Sequence, residues 1–294
     1  MTPTVELVND DCLDYLREGN LSGINLTFLD PPFNQDKEYP SHDDSMKDDA
    51  YWSWMRDVCS ELYDVTVDGG SLYFMQREKN AEGVLRVLRE TGWTFQNLVV
   101  WRKTTSAVPS KYRFGKKYQI IAFVTKGDKP ATFNRLRHDP PLPENYDRER
   151  ENGVFVTDVW TDVRELTSGY FAGDEPLRDD EDERVHKQQA PLELLTRIVL
   201  SSSMPGDRVL DPFAGTGTTG VVCEQLGREA VLVEKDDDYH EVTENRLKEN
   251  RPADDISELY DDYRYTENLD EIWGGSIGRA SGGQEDITSF AKDD

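Results

Sequence analysis

The chain has 294 residues, room for one large α/β domain with a smaller insert or for two modest domains. Its 59 acids outnumber 34 Lys plus Arg, a net charge of −25 that at face value argues against nucleic acid, because phosphates call for a basic footprint. Cys12, Cys59 and Cys223 lie far apart and exclude both a disulfide framework and a CxxC metal spacing, so no metal is expected.

No stretch approaches eighteen apolar residues, and the opening run turns acidic too early for a signal peptide, so neither a membrane span nor export is expected. The acid excess has a second reading, a halophilic intracellular environment. In molar salt the Debye length falls to about 3 Å and a dense carboxylate surface is tolerated. That reading is the one adopted.

In chain order, strand-like runs fall at 4–8, 24–30, 70–75, 97–101, 118–124, 207–211 and 229–234. Most are continuous apolar runs, as expected for strands buried on both faces of a parallel sheet. Helical patterns at 51–65 and 80–92 separate the middle strands, and one at 191–203 leads into the sixth, with Pro191 suited to a first turn. A last helix at 236–250 carries acids in its first turn and Arg and Lys in its last, matching the helix dipole. The alternation predicts a doubly wound, mostly parallel, seven-stranded Rossmann-like α/β sheet.

Outside that pattern lie a polar loop at 36–49 and an insert at 128–184, rich in Pro, Arg and Asp and closing on the acid run "DEPLRDDEDE". A mobile edge is expected there. The acidic stretch at 251–294 is expected to be loosely ordered. The resulting division is 1–127 as a first half, 128–184 as insert, 185–250 as a second half and 251–294 as tail.

Charge distribution qualifies the total. Between Glu90 and Asp128 there is no acid, while Arg102, Lys103, Lys111, Arg113, Lys116, Lys117 and Lys126 fall in that interval. It reads as an anion-facing surface.

Two motifs carry chemistry. "LDPPF" ends the second strand, and its paired prolines stiffen a turn that bears the Asp30 carboxylate and the Phe33 ring. Alone it could be a rigid corner or a device for holding those groups. "RVLDPFAGTGTTG" is a strand, a glycine-rich turn and a helix start; Gly215, Gly217 and Gly220 satisfy the dinucleotide fingerprint, and Glu234 ends the next strand, where an acid grips ribose hydroxyls. The interposed Asp211 and Phe213 suit a cationic ligand such as S-adenosylmethionine (AdoMet) better than a pyrophosphate, with a cation–π contribution from the ring. The plainer reading, that both merely shape the turn, stays open, as does a nicotinamide-dependent oxidoreductase.

"DPPF" followed far downstream by "VLDPFAGTGTTG" resembles the AdoMet-dependent amino-methyltransferases of DNA, most closely the β class, in which the catalytic motif precedes the cofactor motif. "NDDCLDYL" at 9–16 is similar to the family's adenine-contacting segment, and residues 99–127 and 186–220 resemble its later strands and its helix-to-cofactor loop. The chain departs from the family at Ala190, where a lysine is usual and for which Lys187 is the candidate substitute, and at Phe33, where tyrosine is commoner.

The resemblance implies a circularly permuted methyltransferase sheet with 128–184 as target-recognition insert. Asp30 and the Pro31 carbonyl, fixed by Pro32, would accept the N–H groups of an exocyclic amine. Phe33 would stack on a base flipped out of the duplex. Asp11 and Cys12 would sit at the cofactor adenine, Glu234 at its ribose, and residues 215–219, including Gly215, Gly217, Thr218 and Thr219, around its methionine. Arg102, Lys103, Lys111, Arg113, Lys116 and Lys117 would meet phosphates, and Trp160 would serve recognition or anchor the core. Double-stranded DNA is the implied partner, with a second copy of the chain and a separate cognate restriction nuclease as further candidates. Asp at the motif's head goes more often with N6-adenine than with N4-cytosine. A cytoplasmic, nucleoid-associated enzyme is expected.

Overall fold

The computed structural model describes residues 3–33, 46–103, 111–112, 114–140, 151–166, 173–179, 181–186, 188–249 and 251–275. Arg113, Lys187, most of the 36–49 loop and the end of the acidic tail lie outside the described residues.

The first half runs β1 (Val5–Asn9), α1 (Cys12–Arg17), β2 (Ile24–Leu29), α2 (Asp48–Val65), β3 (Thr66–Arg77), α3 (Ala81–Glu90), β4 (Thr94–Arg102) and β5 (Tyr118–Thr125). Among its described residues the insert contributes β6 (Arg137–His138), β7 (Val154–Phe155) and β8 (Val159–Trp160). The second half is α4 (Leu192–Ser202), β9 (Arg208–Asp211), α5 (Thr218–Gln225), β10 (Glu229–Glu234) and α6 (Asp237–Lys248), followed by α7 (Leu259–Asp262) and α8 (Leu269–Trp273). Among the described residues no helix is long and apolar enough to cross a membrane.

The main sheet has eight strands in the order β1-β10-β9-β2-β3-β5-β4-β8. The seven expected strands are all present. The eighth is β8, two residues paired parallel to β4 through Val100↔Val159 and Trp101↔Trp160, too short to leave a period in the sequence. β5 runs antiparallel to both β3 and β4, and the remaining pairings are parallel. Residues alternate between the two faces. Leu72 and Phe74 join a core with α1, α2 and α3, whereas Tyr73 and Met75 join the opposite core with α4 and α5. This is the doubly wound arrangement.

The expectation of a loosely ordered tail fails for 251–275. Ile256, Tyr263, Leu269, Ile272 and Trp273 are buried in the α4–α5 core, and the Tyr263 hydroxyl accepts from Arg197 Nε at 2.9 Å. The Trp273 carbonyl accepts from Arg228 Nη1 at 3.1 Å. The sparse apolar positions recur at three- and four-residue spacing between acids, so overall composition hid an amphipathic pattern. The acid run of the insert is likewise hydrogen-bonded: Asp179 Oδ1 accepts from the N–H groups of Glu181 and Glu183. Trp160 is a core anchor, 5 % exposed, its Nε1 donating to the Thr157 carbonyl at 2.8 Å.

Trp273→Ala should therefore cost on the order of 3–5 kcal/mol in a urea melt. A dispensable tail would leave the midpoint unchanged.

Candidate active site

β2 and β9 are neighbours, with Leu26 opposite Val209 and Thr27 opposite Leu210. From β9 the chain winds one way, through β10 to β1, and from β2 the other, through β3. Their carboxyl ends thus form the topological switch point, where open α/β sheets bind ligands. Asp30 directly follows β2 and Asp211 ends β9, so motifs some 180 residues apart are brought about one strand spacing apart. A cleft of about 1000 Å³, counted to its mouth, is walled by residues 30–33 from one turn and by residues 211–216 from the other.

The glycine turn is built for its backbone. Gly215 and Gly217 have φ of +55° and +76°, the left-handed region open to glycine. At Gly217 a Cβ would come within 2.5 Å of Thr243 Cγ2, so close packing under α6 also demands glycine. Gly217 caps α5 and is absent from the cleft wall, whereas Gly215, Thr218 and Thr219 are on it. Arg246, buried on α6, donates to the Thr216 carbonyl at 2.8 Å and Thr218 Oγ1 at 3.1 Å, while Asp254 holds its other face at 2.6 and 2.9 Å. The turn is thereby braced from behind.

The carboxylates of the wall differ in character. Asp211, 3 % exposed, accepts from Thr219 Oγ1 at 2.5 Å and from the Phe213 N–H at 3.1 Å, and burial raises its pKa to about 6. These bonds favour the turn-shaping reading of Asp211. Glu234 accepts from the Gly215 and Asp236 N–H groups at 2.7 and 2.8 Å; burial lifts its pKa to about 7 against those bonds. Asp11 caps α1 by accepting from the Leu13 N–H and pairs with Lys235 at 3.1 Å. Burial pulls its pKa upward, but the Lys235 ammonium and the Leu13 N–H hold it below the usual value. Cys12 is buried on the same wall, and burial drives its thiol pKa well up, so it is a neutral surface.

Phe33 lines the cleft but is only 4 % exposed and belongs to the core, so it presents a fixed wall. Phe213 also lines it, set edge-on to Trp54 at 5.7 Å. Trp54, His186, Gln189, Lys235 and Tyr239 reach the cleft without having been singled out in the sequence. Trp54, three residues after Tyr51 on an aromatic-rich helix, had a usable signal; the others sit in segments whose approach depends on tertiary packing. Ala190 is on the wall where a lysine was expected.

Among the described residues, the cationic side chains of the acid-free window have different surroundings. Arg102, Lys111 and Lys117 are exposed, beside Tyr112 and Phe114 at 86 % and 99 %. Lys116 pairs with Glu78 at 3.2 Å, and Lys126 donates to the Tyr63 and Thr66 carbonyls at the end of α2. Lys103 turns inward, its ammonium 3.1 Å from the centroid of the Trp101 ring. Burial depresses its pKa to about 7, against the pull of Glu165 and Asp30. Held over that ring, the Lys103 ammonium is directed into the protein rather than outward as the sequence suggested.

The family model for N6/N4 DNA methylases matches residues 24–245. The chain belongs to this family. It is 30 % identical over 260 residues to the DNA adenine methyltransferase YhdJ of Escherichia coli, covering 82 % of each chain. It is 27 % identical over 273 residues to the type II methyltransferase M.HinfI of Haemophilus influenzae, covering 86 % of this chain and 71 % of the relative. The fold is similar to that of M1.HpyAVI in complex with SAM, with TM-score 0.57 and 18 % identity over 84 % of this chain and all of the other. It is also similar to the cytosine-N4-specific PvuII DNA methyltransferase, with TM-score 0.60 and 17 % identity over 94 % of each. The protein is a site-specific DNA methyltransferase that uses AdoMet. The donor set fits that cofactor: two carboxylates, Asp11 and Glu234, line the cleft and can accept from adenine and ribose donors.

Arg246→Met removes the brace on Thr216 and Thr218 and leaves Asp254 with Arg251 alone. A loss on the order of 3 kcal/mol of unfolding free energy is expected in a denaturant titration.

Proposed function

We propose that the methyltransferase modifies the N6 amine of adenine in duplex DNA, after the base has been extruded into the cleft beside residues 30–33. The observation that carries this reading is the meeting of the DPPF turn and the glycine turn in one cleft at the sheet's switch point. An exocyclic amine is a poor nucleophile because its lone pair is delocalised into the ring. Asp30 and the Pro31 carbonyl, each accepting one N–H, draw that pair back onto nitrogen and aim it. The positioning is of the near-attack kind, with reacting atoms about 3–3.5 Å apart.

AdoMet, when bound, supplies an electrophilic sulfonium methyl. In this reading Asp11 and Cys12 flank its adenine, Glu234 takes its ribose hydroxyls, and Gly215, Thr218 and Thr219 border its methionine end, with Asp211 holding the turn. Phe33 contributes wall contact to the target ring, on the order of 1–3 kcal/mol where stacking is full. Asp at the head of the turn and the adenine-specific name of a relative at 30 % identity support adenine. N4-cytosine is the second reading, since the amine chemistry is the same and a cytosine-N4 enzyme shares the fold. Arg102, Lys111 and Lys117, with Tyr112 and Phe114, form the surface we assign to the duplex, and residues 128–184 are assigned to recognition. The acid excess is read as adaptation to high salt, and the similarity to type II enzymes supports pairing with a separate nuclease.

Incubation with unmethylated DNA and AdoMet, digestion to nucleosides and mass analysis should yield N6-methyladenine. Asp30→Ala should abolish product with AdoMet affinity retained; N4-methylcytosine instead would move the assignment to the second reading.

Burial lifts the Glu234 pKa to about 7, and ribose hydroxyls donate more strongly to its ionised form than to the neutral acid. AdoMet binding should therefore tighten as pH rises from about 6 to about 8, by up to about tenfold, and release a proton near neutrality. Calorimetry in two buffers should detect that proton, and Glu234→Gln should flatten the dependence.

A further inference from the structure

We propose that Tyr51 and Gln76 are positioning residues that set the DPPF turn through a hydrogen-bond chain of fixed polarity. The chain starts at the Arg77 backbone N–H, which donates to Gln76 Oε1 at 2.9 Å. With Oε1 taken, the amide must present its NH₂ side outward, and Gln76 Nε2 donates to the Tyr51 hydroxyl at 2.8 Å. That hydroxyl, now an acceptor, turns its one proton to the Pro32 carbonyl at 2.9 Å. Each bond dictates the direction of the next.

The chain lies in a dry place. Gln76 is 0 % and Tyr51 1 % exposed, and both side chains are surrounded by core. A buried amide and phenol left without partners would each cost on the order of 1–3 kcal/mol, so the polarity is not easily reversed. Gln76 is on β3, the strand beside β2, and Tyr51 is on α2, which packs over the same face. The turn is thus tied to two elements besides its own strand. Asn80 Nδ2 adds a bond to the Phe33 carbonyl at 3.5 Å.

The consequence for the reaction follows from the peptide geometry. Engaging the Pro32 carbonyl holds the plane of the Pro32–Phe33 peptide, and with the proline rings limiting φ at Pro31 and Pro32, the directions open to the Pro31 carbonyl are narrowed. Under the proposed function, that carbonyl is the second acceptor of the amine. Neither Tyr51 nor Gln76 touches the amine; both act through the turn.

The test uses the full chain, unmethylated genomic DNA and tritiated AdoMet. Tyr51→Phe keeps the buried ring, and Gln76→Met keeps the length of the side chain. Each single variant should lower kcat about tenfold while the AdoMet dissociation constant and the KM for DNA stay within twofold. The double variant should be no slower than the slower single, because one chain is broken twice. Fluorescence of 2-aminopurine placed at the methylated position should still rise on binding, showing that base extrusion is retained. A folded Tyr51→Phe enzyme with unchanged kcat overturns the proposal, as do multiplicative losses in the double variant. A parallel loss in cofactor affinity also overturns it, by reporting a general loosening of the site. No methyl incorporation by the unaltered chain would instead count against the function reading itself.

Discussion

The parallel pairing of β2 with β9 is the contact on which the site depends. It joins the first half of the chain to the second in the middle of the sheet and sets the two turns side by side at the carboxyl edge. Neither turn makes a site alone. Residues 30–33 hold acceptors with nothing opposite, and the glycine turn offers backbone with no reacting partner. The sheet supplies the proximity, and the winding of the chain in opposite senses from these strands opens the space between them.

Around that junction the structure stiffens each turn from behind. Behind residues 30–33 the support is a chain of neutral hydrogen bonds from β3 through α2. Behind the glycine turn it is ionic: Arg246 reaches Thr216 and Thr218 and is gripped by Asp254. A guanidinium suits the second task because its planar fork engages a carboxylate and a turn together. A comparable knot, the ion pair of Arg197 with Asp162, whose Oδ2 also lies 3.0 Å from His138 Nδ1, fastens the insert to α4.

Much of this was legible in the sequence. Continuous apolar runs identified the seven long strands, since strands buried on both faces leave that trace. The two motifs were legible because proline pairs and left-handed glycines are local demands. What escaped depended on burial that composition concealed. Acid-rich 251–275 looked unfolded because its apolar positions are few, yet they are spaced to face one core. Asp211 was legible as a residue of the cleft, but not its bonds to Thr219 and the Phe213 N–H, which shape the turn. Lys103 looked like a phosphate contact, and only the fold shows it turned inward over Trp101. A basic window in sequence is not a uniformly basic surface, since Lys116 is paired with Glu78 and Lys126 is engaged by backbone carbonyls.

The strand order also governs how the polypeptide can reach its native state. β1 and β2 are adjacent in sequence but separated in the sheet by β10 and β9, which are synthesised last. On a ribosome, the amino-terminal strands emerge with their central places empty and their edges unpaired. Such topology makes folding slow, because long loops must close before the contacts that reward closure exist. The nascent enzyme thus has no assembled reaction centre until almost the whole chain is out. Hydrophobic edges waiting for β9 and β10 are what a chaperone would have to cover.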